Sequence, residues 1–317
     1  MIEEFKNLWI EKYRPLNLNE IVLSKENLLL IEKFYQDKEI PNLLFIGNAG
    51  IGKTSLAKIL VTDALGSQYL YINASDENGI DTIRTKVTGF SRVKSIDGSI
   101  KVIILDEVDG LTLDAQRALR NTMEEYSQYT RFILTANYNY KVIPALQSRC
   151  QSVDLVPPFD LCIDRVSSIL ESERIIVDES TLSTLREFVK TYYPDLRKVI
   201  NEVQKGCVTG KLVFNKKKSN DVLIKGIFEL IKQNNVLKAR KLVIQNEISF
   251  NSDYNQLLKN LFNYTDEEVI RNKESCLLTI SEYMYRMAFV MDPEINFYSC
   301  LIQLSSNISQ ALPNKRP

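Results

Sequence analysis

The stretch Gly47-Asn48-Ala49-Gly50-Ile51-Gly52-Lys53-Thr54 constrains this chain more than any other. It follows the apolar run Asn42-Leu43-Leu44-Phe45-Ile46 and leads into Ser55-Leu56-Ala57-Lys58-Ile59-Leu60-Val61, which reads as a helix. The pattern is G-x-x-x-x-G-K-[ST] between a strand and a helix, the setting its mechanism requires. Glycines let the backbone turn tightly, so several N–H groups and the positive end of the next helix can point at phosphate oxygens. Lys53 is then placed to reach β- and γ-phosphates, and Thr54 to set its hydroxyl on Mg²⁺. A plain glycine-rich turn is the alternative, and the full match with its flanks leaves that little weight. The chain is expected to bind a nucleoside triphosphate.

At 317 residues the chain is expected to hold two or three domains. Hydrophobic residues make up 44% and charged residues 25%, as in soluble globular proteins. Lys plus Arg equals Asp plus Glu, 40 of each, so any nucleic-acid contact must come from a local basic surface. The acidic start Met1-Ile2-Glu3-Glu4-Phe5-Lys6 does not read as a signal peptide, and no apolar run suits a membrane span. The five cysteines never approach C-x-x-C spacing, so neither zinc nor a disulfide framework is suggested, and a reducing cytosol fits best. With no histidine in the chain, histidine bases, nucleophile pairs and metal ligands are excluded together. Chemistry must run on carboxylates, Lys, Arg and a bound metal, an inventory that suits phosphoryl transfer to water.

Lys101-Val102-Ile103-Ile104-Leu105-Asp106-Glu107 reads as a buried parallel strand that delivers carboxylates at its carboxyl end. Ligands in open α/β sheets bind at such ends. Asp106 can hold Mg²⁺, and Glu107 is the candidate to orient and polarise an attacking water. The strand Arg131 to Ala136 brings Asn137 to the same sheet edge, in reach of a water or the γ-phosphate. Ser152-Val153-Asp154-Leu155 is expected to close the sheet.

Between these landmarks, residues 26–37 read as an amphipathic helix with Leu29, Leu30, Lys33 and Phe34 at helical spacing. Ile21-Val22-Leu23 could cover an adenine face. Trp9 to Pro15 reads as a surface segment with two aromatics packed down. Residues 82–93 form a basic helix with Arg84, Thr88 and Arg92 on one face and Lys86 elsewhere; a solvated face is the simpler reading. Residues 114–127 form a helix capped by Asp114, with an apolar stripe from Ala115 to Tyr126 and Gln116, Arg117 and Arg120 on the other side. Beyond Val156-Pro157-Pro158 the pattern turns helical: 160–173, 179–192 and 195–207 suggest a three-helix unit. Lys216-Lys217-Lys218-Ser219-Asn220 reads as a linker, followed by helices through a last one near 296–308 whose apolar girth suits either a partner or a core.

Several stretches carry a resemblance. Glu11-Lys12-Tyr13-Arg14-Pro15, Gln147-Ser148-Arg149-Cys150, Pro194-Asp195-Leu196-Arg197-Lys198 and the helix from Ala115 to Glu124 are similar to motifs of the AAA+ clamp-loader ATPases. Within that family the chain resembles replication factor C small subunits and the large loader subunit of T-even-like bacteriophages. The likeness covers residues 9 to about 205. The P-loop departs from the usual Gly-Pro-Pro-Gly, and no zinc module is present, unlike bacterial loader ATPases. The short, divergent chain leans towards a viral or phage source.

The resemblance implies an α/β P-loop NTPase (AAA+) core over residues 1–155, a small helical lid over 156–215 and an all-α C-terminal collar over 221–317. It implies ATP and Mg²⁺ as cofactors, with Gly47, Asn48, Gly50, Ile51, Gly52, Lys53, Thr54 and Ser55 on the phosphates. Thr54 and Asp106 would hold the metal, Glu107 the water, and Asn137 would sense the γ-phosphate. Tyr13 and Arg14 would lie near the base and sugar. Arg197 would touch phosphates in cis, and Arg149 would be an arginine finger to the neighbouring subunit's ATP. Arg84 and Lys86 would face DNA, and residues 90–96 a sliding clamp, although a core role for them stays open. The implied partners are other loader subunits in a hetero-oligomer, a pentamer, with a sliding clamp and primer–template DNA. The implied place is the cytoplasm or nucleus, without a membrane. Another AAA+ DNA motor or helicase loader, or a non-hydrolysing scaffold subunit, are the alternatives.

Overall fold

The computed structural model describes residues 8–93, 100–208, 211–212, 220–250, 252–268 and 272–309. The chain divides into two compact units, Met1–Phe214 and Asn215–Pro317. In chain order the first unit contains α1 (Trp9–Lys12), α2 (Lys25–Asp37), β1 (Leu43–Ile46), α3 (Lys53–Ile59), β2 (Tyr69–Asn73), α4 (Ile80–Thr82), α5 (Thr88–Arg92) and β3 (Lys101–Asp106). It continues with α6 (Leu113–Glu125), β4 (Thr130–Ala136), α7 (Pro144–Gln147), β5 (Gln151–Asp154), α8 (Phe159–Ser172), α9 (Glu179–Tyr192), α10 (Leu196–Gly206) and the short hairpin β6 (Cys207–Val208) and β7 (Lys211–Leu212).

Strands β1 to β5 form one parallel sheet in the order β2-β3-β4-β1-β5. Parallel strands need helical crossovers on the sheet faces, so the inner strands are apolar on both sides; every residue of β1 and β3 is buried. Alternation along each strand divides the core in two. Leu43, Phe45, Val102, Ile104 and Ile133 pack under α2 and α3. Leu44, Ile46, Ile103, Leu105 and Leu134 pack against Ile83, Val87, Ala115 and Leu119. Asp106 follows Ile104 on the α3 face, one strand from Thr135, which follows Ile133.

Local chemistry sets the helix starts. The Ser24 hydroxyl accepts from Asn27 N (3.2 Å) at α2, and the Asp178 carboxylate accepts from Thr181 N (2.7 Å) at α9. For α6 the cap is the Thr112 hydroxyl, which accepts from Ala115 N at 3.3 Å. Asp114, expected as the cap, lies inside the first turn and pairs with Arg117 at 3.0 Å. The stripe of α2 is also displaced: Ile31 and Phe34 are buried, while Leu29 faces out. Gln116, expected on the outer side of α6, is buried. Its amide donates to Leu111 O (3.3 Å) and Lys141 O (3.0 Å), and its carbonyl accepts from Ile143 N (2.8 Å). A buried amide side chain needs such partners.

The basic helix spans 80–92 and changes register on the way. A π stretch, Ile83–Val87, joins α4 to α5, and the Thr88 hydroxyl reaches back five residues to Ile83 O at 3.0 Å. Thr88 consequently turns towards Thr122 Oγ1 (3.3 Å) on α6, while Arg84 and Arg92 stay exposed, Arg92 donating to Tyr126 OH at 3.2 Å on the surface. Residues 94–96 of the expected clamp-facing segment, and linker residues 216–219, lie outside the described residues.

Helices α8 to α10 form a third core, and Trp9 belongs to it, packed with Cys162, Val166, Leu185, Phe188 and Val199. The N-terminal segment is thus a surface segment with its two aromatics packed down, as expected: Glu11, Lys12 and Arg14 are exposed, while Trp9 enters this core and Tyr13 packs against it. Trp9 N donates to Gln204 Oε1 (3.0 Å), and the Lys12 ammonium and Tyr13 hydroxyl both reach Glu173 Oε1 at 2.6 Å.

The second unit is helical: α11 (Asn220–Lys232), α12 (Val236–Gln245), α13 (Tyr254–Glu267), α14 (Lys273–Arg286) and α15 (Pro293–Ser309). Its core joins Ile227, Phe228, Leu257, Leu261 and Ile280 to Phe297, Cys300, Leu301 and Leu304 of α15. The apolar girth of that last helix is thus core packing in large part. No helix among the described residues is long and apolar enough to cross a membrane.

Because Trp9 fills the three-helix core, Trp9→Ala is expected to destabilise the first unit by about 3 kcal/mol. Chemical unfolding followed by circular dichroism measures it; a loss under about 1 kcal/mol would mean that the segment only rests on the surface.

Candidate active site

A cavity of about 360 Å³ opens where the carboxyl ends of β1, β3 and β4 meet α10 and the N-terminal segment. Its polar end holds Lys53, Thr54, Asp106, Glu107 and Asn137, and its other end Tyr13, Arg14, Ile21, Val22, Leu196 and Ile200. Polar groups at strand ends with an apolar slot beside them suit an anion joined to a flat ring.

The P-loop wraps the polar end. Gly47, Gly50 and Gly52 have φ of +149°, +77° and +96°, a region that favours glycine because it lacks a Cβ. At Gly47 a Cβ would stand 2.4 Å from Ile51 Cδ1 and 2.6 Å from Leu155 O. The loop ends at the N-terminus of α3, where Gly50 to Ser55 line the cavity and no side chain caps the helix; first-turn N–H groups lack partners within a helix. Lys53 is 6% exposed. Its ammonium donates to Gly47 O, Asn48 O and Asn137 Oδ1, each at 2.8 Å. Burial pushes its pKa below the ordinary range, and the Asp106, Asp109 and Glu107 charges pull it back.

Asp106 sits in a ring of hydroxyls. Thr54 Oγ1 donates to its carboxylate, 2.8 Å from either oxygen. Tyr71 OH donates to Oδ2 at 2.9 Å, and Thr135 Oγ1 to Oδ1 at 2.6 Å. A carboxylate beside a threonine hydroxyl is an all-oxygen donor set, the kind that small hard cations take.

Glu107 has φ of +58°, a left-handed backbone that costs about 1 kcal/mol or more outside glycine. Its N–H donates to Thr135 Oγ1 (2.9 Å), and its carbonyl accepts from Gly110 N (2.8 Å). Its carboxylate accepts from Ser75 Oγ at 2.5 Å. Asp109 receives Asn137 N and Tyr138 N, both at 3.2 Å, and so fixes the turn that carries Asn137.

Helix α10 approaches the P-loop from the other side. Arg197 N donates to Gly50 O (3.3 Å), and the Asp195 carboxylate caps α10 through Lys198 N (3.0 Å). That carboxylate lies so near Gly50 that a Cβ there would be 1.8 Å from Asp195 Oδ1. Arg197 lines the cavity, as do Tyr13 and Arg14. Arg149 does not: its guanidinium is paired with Glu124 and donates to Ala145 O at 2.8 Å. Arg84 and Lys86 lie outside the cavity as well, and Lys86 pairs with Glu77 at 2.6 Å.

The sequence reading missed Tyr71, Ser75, Thr135, Asp109 and Asp195. Only Asp195 had a local signal, as a cap before the Leu196 helix. The others reach the site through strand register, which spacing within one segment does not reveal.

These features, a five-stranded parallel sheet ordered β2-β3-β4-β1-β5 with a P-loop after β1 and an acidic pair at the carboxyl end of β3, define an AAA+ P-loop ATPase. The family model for the ATPase family associated with various cellular activities (AAA) matches residues 43–158. RuvB of Thermotoga maritima, in a single-substitution variant, superposes with a TM-score of 0.53 over 89% of this chain and 90% of its own, at 15% identity, a likeness of fold alone.

The chain is 43% identical over 209 residues to a replication factor C small subunit from Methanococcus vannielii, a match covering 64% of this chain and 65% of that one. It is 36% identical to the replication factor C small subunit of Sulfurisphaera tokodaii over 313 residues, 94% of this chain and 95% of the relative. That of Thermofilum pendens is 35% identical and is covered to 97%, with 95% of this chain. The chain belongs to the replication factor C small subunit family.

Gly50→Ala is expected to cost at least about 1 kcal/mol through its positive φ alone, and more through displacement of Asp195. Thermal melts should show Asp195→Ala restoring part of that loss. An equal loss in both backgrounds would deny the contact.

Proposed function

We propose that this chain serves as an ATPase subunit of a DNA-polymerase sliding-clamp loader. The observation that carries the reading is its near end-to-end likeness to replication factor C small subunits, in a chain whose P-loop, acidic pair and Arg149 are all present. ATP binding would open the ring-shaped clamp and grip primer–template DNA, and hydrolysis would release the clamp on DNA. Its partners are then other loader subunits in a pentamer, the clamp and DNA. The site of action is wherever the genome is copied, cytoplasm or nucleus. We assign the core to residues 1–155, the lid to 156–215 and the collar to 221–317.

The phosphates are taken by the N–H groups of Gly47, Asn48, Gly50, Ile51, Gly52 and Ser55 and by Lys53. The oxygen donors of Thr54 and Asp106 suit Mg²⁺. When bound, Mg²⁺ supplies neutralisation of the β- and γ-phosphate oxygens. Glu107, as a carboxylate, accepts a hydrogen bond from the attacking water and aligns it. Its single hydrogen bond from Ser75 leaves lone pairs free for that. Asn137 holds the water or the γ-phosphate, Arg197 binds phosphate from the lid, and Tyr13 and Arg14 flank base and sugar. Arg149 completes the site of the adjacent subunit, so turnover depends on assembly. Arg84 and Lys86 contact DNA phosphates without reading sequence.

ATP turnover of the assembled complex, with clamp and primer–template DNA added separately and together, tests this. Strong stimulation only when both are present is expected. Stimulation by DNA alone would point to a translocating motor, and none in any combination to a scaffold. Arg149→Ala should lower assembled turnover by about 10³-fold or more while nucleotide binding by the isolated chain stays unchanged; a loss of that binding would assign Arg149 to its own chain's site.

A further inference from the structure

We infer that Tyr71 and Thr135 are positioning residues for the Asp106 carboxylate, each holding one of its oxygens so that the remaining lone pairs face Thr54 and the cation. The inference rests on the reading of Asp106 as part of a Mg²⁺ site.

The geometry is specific. A carboxylate offers about four lone-pair directions, two on each oxygen. Thr135 Oγ1 donates to Oδ1 at 2.6 Å and Tyr71 OH to Oδ2 at 2.9 Å. With one donor on each oxygen, the carboxylate plane cannot rotate about its own bond. The lone pairs that remain point to Thr54, whose hydroxyl lies 2.8 Å from both oxygens. Outer partners of this kind set the orientation of metal-binding groups.

Each residue reaches Asp106 for a definite reason. On β2, Tyr71 pairs in register with Ile104, and Asn73 with Asp106. Tyr71 therefore shares the α3 face of the sheet but starts two residues short, about 6.6 Å along the strand. A side chain of phenol length is needed to span that offset. The Lys58 ammonium sits 4.1 Å from the Tyr71 ring centroid and holds the ring from the α3 side. Thr135 is buried on β4 and works in two directions: its hydroxyl donates to Asp106 and accepts from Glu107 N. One hydroxyl thus ties the orientation of both acidic residues to the central sheet.

The test is binding of a fluorescent N-methylanthraniloyl-ATP to the full chain, titrated with Mg²⁺ and repeated in EDTA. Tyr71→Phe keeps the ring under Lys58 and removes only the hydroxyl. It should raise the Mg²⁺ concentration for half-maximal metal-dependent binding by about 10-fold, with affinity in EDTA unchanged. Thr135→Val should shift the same midpoint, and Thr135→Ser, which restores the hydroxyl, should return it. An unshifted midpoint in Tyr71→Phe overturns the inference for Tyr71, and one in Thr135→Val does so for Thr135. Equal weakening with and without Mg²⁺, or a Thr135→Ser variant no better than Thr135→Val, would mean that the residues shape the fold instead. Wild-type binding indifferent to Mg²⁺ would remove the Asp106 reading itself, and the inference with it.

Discussion

The Lys53 ammonium is buried, and the groups that touch it are neutral oxygens: two P-loop carbonyls and the Asn137 amide oxygen. Three neutral acceptors satisfy its protons but leave its charge to be balanced from farther away, by Asp106, Glu107 and Asp109. Burying a charge on those terms is costly, and the cost falls when an anion comes to rest beside it. The loop's left-handed glycines suit the same end, since such a backbone is the kind that turns successive N–H groups towards an anion. The surroundings of Lys53 thus favour a further anion beside it, as the proposed triphosphate would be.

The sheet fixes everything around that charge. Strand alternation puts Asp106, Thr135 and Tyr71 on one face, the face that α3 covers, and α3 brings Thr54 to the same point. Glu107, one residue on, turns away through a left-handed backbone and is held by Thr135 and Gly110. Adjacent acids therefore occupy different surroundings: one ringed by hydroxyls, the other at the cavity edge on a single serine. Residues side by side in sequence can take separate roles only when the backbone separates them so.

That division explains what the sequence disclosed. The P-loop, Asp106, Glu107 and Asn137 were legible because each lies at the end of an apolar run, where period and punctuation mark strand ends. Tyr71 and Thr135 sit inside such runs and look like ordinary strand residues; their meaning comes from which strands are neighbours. The cap of α6 was misread by two residues because Thr112 and Asp114 are both good capping types. Gln116 looked solvated because its partners, Leu111, Lys141 and Ile143, belong to loops whose course no periodicity reveals. The π stretch at Ile83–Val87 likewise turned Thr88 towards Thr122, against a straight-helix projection that grouped it with the exposed Arg84 and Arg92.

Arg149, proposed to act in a neighbouring subunit's site, has only contacts within its own chain to hold it here. Its guanidinium rests on Glu124 of the same chain and the Ala145 carbonyl, on a surface a third exposed. Ion pairs between exposed groups are worth about 0–1 kcal/mol, so this one restrains the side chain without committing it. A carboxylate carries one negative charge, and a triphosphate on an adjoining subunit would offer more than one, with oxygens that suit the bidentate guanidinium fork. On the proposed reading, the same arginine would be held loosely when the chain is alone and drawn to the stronger anion when a neighbour supplies it. A lysine here would keep the charge but lose the fork, and with it the geometric preference for phosphate over carboxylate.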